Sequence, residues 1–297
     1  MKRIIPYLWF NDQAETAAEL YTSIFPDSCI DSVSRYHESG AEVSGMPAGS
    51  VLSVSFELGG QTMVALNGGP YYSFSPAVSF FVNCKTAEEL DNIWERLLPG
   101  GSVLMELGKY PYSERYGWLT DRFGVSWQLM LSSEQPLLVP NLLFTGERYG
   151  QAEQAINFYT ALLPSSAIDV IERQEDGKVL YSAFTLHGQR FTAMESDLEH
   201  NFTFTPAISF LLECDTQEEI DRLWEALGES GEYMDCGWVT DRFGVTWQVV
   251  PVELFDLIND EDVTKAERAM QAMLMMKKID LAELRRAHHG EVTGDQS

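Results

Sequence analysis

Two features of this 297-residue chain point to an α+β protein assembled from repeated units. The segment YGWLTDRFGVSWQLM at 116–130 returns as CGWVTDRFGVTWQVV at 236–250, and apolar residues recur with period two in some stretches and period 3.6 in others. The repeat extends well beyond that segment. IPYLWF (5–10) returns as VPNLLF (139–144), AELYTSIFPDS (18–28) as INFYTALLPSS (156–166), and LGGQTMVAL (58–66) as LHGQRFTAM (186–194). SPAVSFFVNCKTAEELDNIWERL (75–97) returns as TPAISFLLECDTQEEIDRLWEAL (205–227). The order is the same in both copies. This divides the chain into a first domain at 1–133, a second at 134–252 joined through SSEQP, and a tail at 253–297.

Each element has a local reason. A strand at 4–10 leads into a helix for which Asp12 is the expected N-cap, with Glu15 three residues on. Strands follow near 30–37, 50–58 and 61–66. A strand at 78–84 then precedes a helix capped by Thr86 with Glu89 in the box position, and strands at 103–107, 116–120 and 125–131 complete the copy. Each domain is therefore two βαβββ modules. Trp94 and Trp224 share a helical face with Leu90 or Ile220 and with Leu97 or Leu227, which makes them core residues. In the repeated segment Asp121-Arg122-Phe123-Gly124 is a turn, because Asp bonds nearby backbone N–H groups and Gly tolerates positive φ. Val125, Trp127 and Leu129 alternate with Ser126, Gln128 and Met130, so Asp121 reads as a turn residue and Gln128 as the side chain offered for chemistry. In the tail, Thr264 with Glu267 is the expected capping box for a helix through Met276, and Asp280 with Glu283 for one through Arg286. Met270, Met273, Met275 and Met276 suit docking within the chain or a homodimer contact. His288, His289 and the residues beyond read as disordered.

Composition narrows the function classes. The 20 basic and 45 acidic residues give a net charge of −25, which disfavours nucleic acid and anionic lipid as partners. The start, MKRIIPYLWFND, turns polar too soon for a signal peptide, and no apolar run reaches membrane-spanning length, so a cytoplasmic location is expected. Cys29, Cys84, Cys214 and Cys236 show no C-x-x-C spacing. Cys84 and Cys214 occupy one position in two copies and read as packing residues.

The motifs IPYLWFND, ELYTSIFPDS, GGQTMVALNGGP, PAVSFFVNCKTAEELD and GWLTDRFGVSWQ, with their second copies and the AMLMMKKIDLAEL tail, make the chain resemble the PhnB-like branch of the vicinal oxygen chelate superfamily. That is the group of glyoxalase I, bleomycin-resistance proteins and ring-cleaving dioxygenases. The resemblance implies that each pair of βαβββ modules curls into an open barrel around a cavity, here as two tandem domains with C-terminal helices. Metal-dependent members place His, Glu or Gln on the first and last strands of each module. The matching positions here are Pro6, Ala65, Ser79 and Gln128, then Pro140, Ala193, Ser209 and Gln248. Only the two glutamines resemble ligands, so no metal and no cofactor is expected.

The site expected on this reading lines the barrels with Leu8, Phe10, Asn67, Ser79, Phe81, Tyr112 and Gln128 in the first copy and Phe144, Glu195, Ser209 and Gln248 in the second. The first function is a metal-free small-molecule binding protein with a ligand in one or both barrels. The alternative is a metal-dependent lyase, isomerase or dioxygenase-like enzyme, for which no catalytic residue is identified. A third reading has cavities filled by the protein's own side chains. Methyl transfer lacks support, since no glycine-rich loop after a first strand suits a methyl-donor nucleotide. The two domains are expected to form an intrachain pseudo-dimer, with a homodimer of the whole chain left open. The KYPYSERY insertion of the first copy, and Asn67 becoming Glu195, predict cavities that are not equivalent.

Overall fold

The computed structural model describes residues 3–134 and 136–291. The first module is β1 (Ile4–Phe10), α1 (Ala14–Ile24), β2 (Cys29–Arg35), α2 (Glu38–Ser44), β3 (Val51–Leu58) and β4 (Gln61–Asn67). The second is β5 (Val78–Cys84), α3 (Ala87–Leu97), β6 (Ser102–Tyr110), β7 (Ser113–Thr120) and β8 (Ser126–Leu131). The third is β9 (Leu138–Thr145), α4 (Ala152–Leu162), β10 (Ala167–Arg173), β11 (Val179–Leu186) and β12 (Gln189–Ser196). The fourth is β13 (Ile208–Cys214), α5 (Gln217–Gly228), β14 (Glu232–Tyr233), β15 (Trp238–Thr240) and β16 (Thr246–Pro251). The tail adds α6 (Leu254–Ile258), α7 (Val263–Leu274) and α8 (Leu281–His289). Among these, α2 and α6 lie where no element is expected.

The α+β class and the four modules are as expected, but the partners within each sheet come from different repeats. One eight-stranded sheet runs β14-β15-β16-β13-β1-β4-β3-β2, joining the first module to the fourth. The other runs β10-β11-β12-β9-β5-β8-β7-β6, joining the third to the second. Neither sheet closes into a barrel. The junctions are antiparallel and equivalent: Tyr7 lies opposite Ser209 where β1 meets β13, and Asn141 opposite Ser79 where β9 meets β5. Each repeat thus offers the same strand edges to the other, as an isologous contact requires.

What holds the two modules of one repeat together is the repeated Asp. Asp121 is buried, and one carboxylate oxygen accepts the Phe123 and Val125 backbone N–H groups at 2.9 and 3.1 Å, which shapes the turn. The other accepts the Tyr21 hydroxyl at 2.6 Å and the Trp127 indole N–H at 2.9 Å. Tyr21 stands on α1, which packs across β3 of the first sheet, whereas Asp121 and Trp127 belong to the second sheet. The second copy repeats the device: Asp241 accepts Phe243 N, Val245 N, the Tyr159 hydroxyl and the Trp247 indole at 2.8, 3.1, 2.7 and 2.8 Å. Burial pushes both carboxyls above the ordinary carboxylate value, and the donors pull them back. One continuous apolar core contains Tyr21, Trp127, Tyr159 and Trp247 together with the helix-facing side chains of both sheets.

Trp94 and Trp224 are buried in that core, as their helical spacing requires. So are Cys84 and Cys214, whose thiols burial raises to about 12. Thr86 accepts the Glu89 N–H at 3.1 Å as expected of the N-cap, while Glu89 accepts the N–H of Lys85, one residue before the cap, at 2.8 Å. Two other caps differ. Gln13 rather than Asp12 precedes α1, with no side-chain cap of its own. In the tail Asp262 caps α7, and Glu267 instead binds Ser39 of α2. His288 and His289 are helical, against the expectation of disorder: His288 is buried, its Nε2 2.8 Å from an Asp260 carboxylate oxygen. Residues 292–297, and Gln135 of the SSEQP linker, lie outside the described residues.

Candidate functional site

Each strand of the two sheets turns alternate side chains towards the shared core and away from it. On β5, Val78, Phe80, Val82 and Cys84 enter the core, leaving Ser79 and Phe81 on the distal face. On β8, Trp127 and Leu129 are in the core and Gln128 is distal. On the distal face of the second sheet five neutral polar side chains from five strands form a row. The Tyr116 hydroxyl donates to Gln128 Oε1 at 2.6 Å, and Gln128 Nε2 donates to Ser79 Oγ at 2.8 Å. Asn141 Nδ2 also reaches Ser79 Oγ, at 3.3 Å, and Thr192 donates to Asn141 Oδ1 at 3.0 Å. All five are buried. Burial first, then the neighbouring Tyr112 and Tyr110, push the Tyr116 hydroxyl well above its usual range, so it stays a neutral donor.

The apolar surround is a cluster of Phe81, Tyr116 and Val139 with half-buried Met105, Tyr110, Trp118, Met130 and Met194 packed against it. Tyr110, Tyr112 and Tyr116 touch one another at ring-centroid distances of 5.2 to 5.7 Å, so the tip of the β6–β7 hairpin stands at the edge of the row. Tyr112 is 60% exposed. The pairing of β6 with β7 slips register three times, and Gly108 in its middle has open space where a side chain would be. Such register shifts bend and twist the hairpin.

Of the residues named from sequence, Ser79, Phe81, Gln128 and Tyr112 gather at this face. Leu8, Phe10 and Phe144 do not: all three are in the helix-side core, one residue out of phase with the distal face. The same one-residue change puts Tyr7 and Asn141, rather than Pro6 and Pro140, on the distal faces. It likewise puts Val64 and Thr192 there in place of Ala65 and Ala193, which are core residues. Asn67 and Glu195 are committed elsewhere. Asn67 Oδ1 accepts the Ala14 N–H of α1 at 2.8 Å and its amide donates to Val51 O at 3.0 Å. Glu195 accepts the Ala152 N–H of α4 at 2.8 Å and the Val179 N–H at 2.6 Å. They are the helix caps that Asp12 does not supply. Asn141 and Thr192 escaped the sequence reading, although Asn141 is a polar residue inside a largely apolar strand, a pattern that needs a partner.

On the first sheet the equivalent row is reduced. Gln248 Nε2 donates to Ser209 Oγ at 2.9 Å, but Tyr7, Val64 and Cys236 stand where the other face has Asn141, Thr192 and Tyr116. The tail covers this face. Ile5, Tyr7, Val64 and Leu211 pack against Leu254, Ile258, Met270, Ile279 and Leu284, and the Cys236 and Gly237 N–H groups donate to Met276 O and Lys277 O at 2.7 Å each. The two faces are not equivalent, and the tail is the larger cause.

The donor set does not fit the divalent ion of metal-dependent vicinal oxygen chelate proteins. It contains no carboxylate and no imidazole, and the Gln128, Ser79 and Asn141 oxygens already accept hydrogen bonds from within the row. Among the described residues no group of three or more His, Cys, Asp or Glu side chains is placed to hold a metal.

Comparison with known proteins agrees with this architecture. The profile of a family described as 3-demethylubiquinone-9 3-methyltransferase matches twice, over residues 2–130 and 136–250. A Bacillus cereus PhnB protein, described by the same activity, is 41% identical over 43% of this chain and 98% of its own, with a TM-score of 0.40. A Staphylococcus aureus protein is 33% identical over 44% of this chain and 96% of its own, with a TM-score of 0.19. Glyoxalase I of Zea mays is 10% identical over 82% of this chain and 91% of its own, with a TM-score of 0.51, a likeness of fold alone. No curated protein matches the chain.

Proposed function

Because the chain belongs to the 3-demethylubiquinone-9 3-methyltransferase family, a PhnB-like branch of the vicinal oxygen chelate superfamily, we propose that it uses one superfamily face to bind a small uncharged aromatic molecule without a metal. The observation that carries this reading is the row Tyr116–Gln128–Ser79–Asn141–Thr192. It is a line of neutral hydrogen-bonding groups set among Phe81, Met105, Trp118, Met130 and Met194. Buried polar groups in an apolar surround orient a ligand by exchanging internal hydrogen bonds for external ones. With no ionised side chain in the row, a carboxylate or phosphate would enter without a counter-charge. The tyrosine hairpin is the entry: swinging Tyr110, Tyr112 and Tyr116 outward frees Gln128 Oε1 to accept from the ligand.

The methyl transfer in the family's description finds no support in these residues. The N-terminus of α4 already holds the Glu195 carboxylate and that of α1 the Asn67 amide, so neither first helix presents the open N–H groups that nucleotide-binding turns use.

The test is fluorescence titration with 1-naphthol, an aromatic carrying one hydroxyl donor, followed through Trp118. One molecule per chain is expected, weakened about 5- to 10-fold by Gln128→Leu, the equivalent of one hydrogen bond of ~1 kcal/mol. No binding, or binding indifferent to that substitution, overturns the reading.

A further inference from the structure

We propose that the distal face of the first sheet is a second binding site for the same class of molecule, with the C-terminal tail as its built-in occupant. The proposal rests on the reading above and extends it to a face that the sequence repeat makes homologous. Gln248 and Ser209 reproduce the Gln128–Ser79 pair at 2.9 against 2.8 Å. The difference lies at the glutamine oxygen. Gln128 Oε1 takes the Tyr116 hydroxyl, whereas the repeat replaces Tyr116 by Cys236, whose N–H is turned to Met276 O. Gln248 is 5% exposed, and among the described residues no donor is bonded to its oxygen. That acceptor, left open where the other face has the Tyr116 hydroxyl, takes the hydroxyl or N–H of a ligand.

The manner in which the tail covers this face supports its being an occupant rather than part of the scaffold. Met270, Ile279 and Leu284 lie over Tyr7, Val64 and Leu211 as a set of apolar side chains. The tail's polar attachments include the Cys236 and Gly237 N–H groups donating to Met276 O and Lys277 O, Glu267 accepting from Ser39, and Lys278 paired with Asp221. The last is an ion pair with both side chains at least one-third exposed, a type that contributes little. The first sheet also has only two residues in β14 and three in β15, so no tyrosine hairpin closes its rim. The tail takes that place. An occupant held mainly by apolar contact and a few hydrogen bonds is displaced by mass action when a ligand binds only the open form.

The experiment uses the full chain. Met270→Asp with Leu284→Asp loosens the tail without touching either sheet, and 1-naphthol is titrated against this variant and the natural sequence. The natural chain is expected to bind one molecule and the loosened chain two. Gln248→Leu in the loosened chain should remove the added site while leaving the first, and Gln128→Leu should weaken the first alone. A loosened chain of unchanged circular dichroism that gains no site overturns the proposal, as does an added site indifferent to Gln248→Leu. If the natural chain binds nothing, the earlier reading fails, and a Gln248-dependent site in the loosened chain still decides this one. Should the double substitution unfold the protein, hydrogen exchange on the natural chain decides. Amides of α7 and α8 exchanging at least tenfold faster than those of β13 and β16 support an openable tail, and exchange of all four together overturns it.

Discussion

Removing the Asp121 carboxylate tests why the DRFGVxW segment occurs twice. In Asp121→Ala, Tyr21 and Trp127 lose their shared acceptor, and both are 0% exposed, so neither donor is compensated by water. An orphaned buried donor costs about 1–3 kcal/mol, which puts the side-chain loss at about 2–6 kcal/mol. The backbone N–H of Val125, also fully buried, adds to that, while the half-buried Phe123 N–H can turn to solvent. A loss of about 3–9 kcal/mol is therefore expected. Asp121→Asn isolates the mechanism, because it keeps shape and one oxygen but turns an amide nitrogen towards donors in either orientation. If that nitrogen faces Tyr21 and Trp127, the hydroxyl can rotate to accept and the indole cannot, for a loss of about 1–3 kcal/mol. Urea unfolding followed by tryptophan fluorescence and far-ultraviolet circular dichroism measures both. The second copy is an internal replicate: Asp241→Ala should cost about the same, and the two losses should add, since the clusters share no side chain. Losses below about 1 kcal/mol for both alanine variants would refute the claim that this Asp ties helix to hairpin.

Three further outcomes are expected. Glu195→Gln should destabilise by about 1–2 kcal/mol, because the new amide faces an N–H of Ala152 or Val179, and Asn67→Asp should do the same by setting an anionic oxygen against Val51 O; thermal melts of both variants check this. Gly101→Ala and Gly231→Ala should each cost about 3 kcal/mol or fail to fold, since the added carbon would lie 2.0 and 2.2 Å from the Thr120 and Thr240 carbonyl oxygens; soluble yield and urea midpoint report it. Burial raises Cys84 and Cys214 from 9.0 to about 12, so the folded state holds two protons that the unfolded chain releases above pH 9. Their contribution is complete below pH 9 and is lost between pH 9 and 12, at about 1.4 kcal/mol per unit for each thiol, and Cys84→Ala with Cys214→Ala should flatten that slope.

The sequence by itself determined the local structure and its duplication. Apolar runs marked β1 and β5 and a period-two stretch marked β8 within a residue or two, Thr86 with Glu89 announced α3, and the helical spacing of Leu90, Trp94 and Leu97 placed them in the core. These signals are local, carried by side chains a few positions apart that meet whatever the rest of the chain does. The family resemblance was legible for the same reason, as short motifs in fixed order. It also led to Ser79 and Gln128, because the strand that holds Gln128 alternates cleanly.

Only the tertiary structure decided which modules share a sheet, which face of each strand is distal, and what covers it. Leu8, Phe10 and Phe144 were placed on the wrong side because β1 and β9 are apolar on both faces, so alternation carries no phase information there. Asn67 and Glu195 resembled site residues until the N-termini of α1 and α4 were seen to take their oxygens. The register of strands from different repeats, Ser79 against Asn141 and Ser209 against Tyr7, joins residues far apart in the chain and leaves no local trace. The tail's apolar face could have met any apolar surface. It covers the first sheet and leaves the second to the tyrosine hairpin because β14 and β15 are too short to close that rim, a fact of packing that no window of sequence contains.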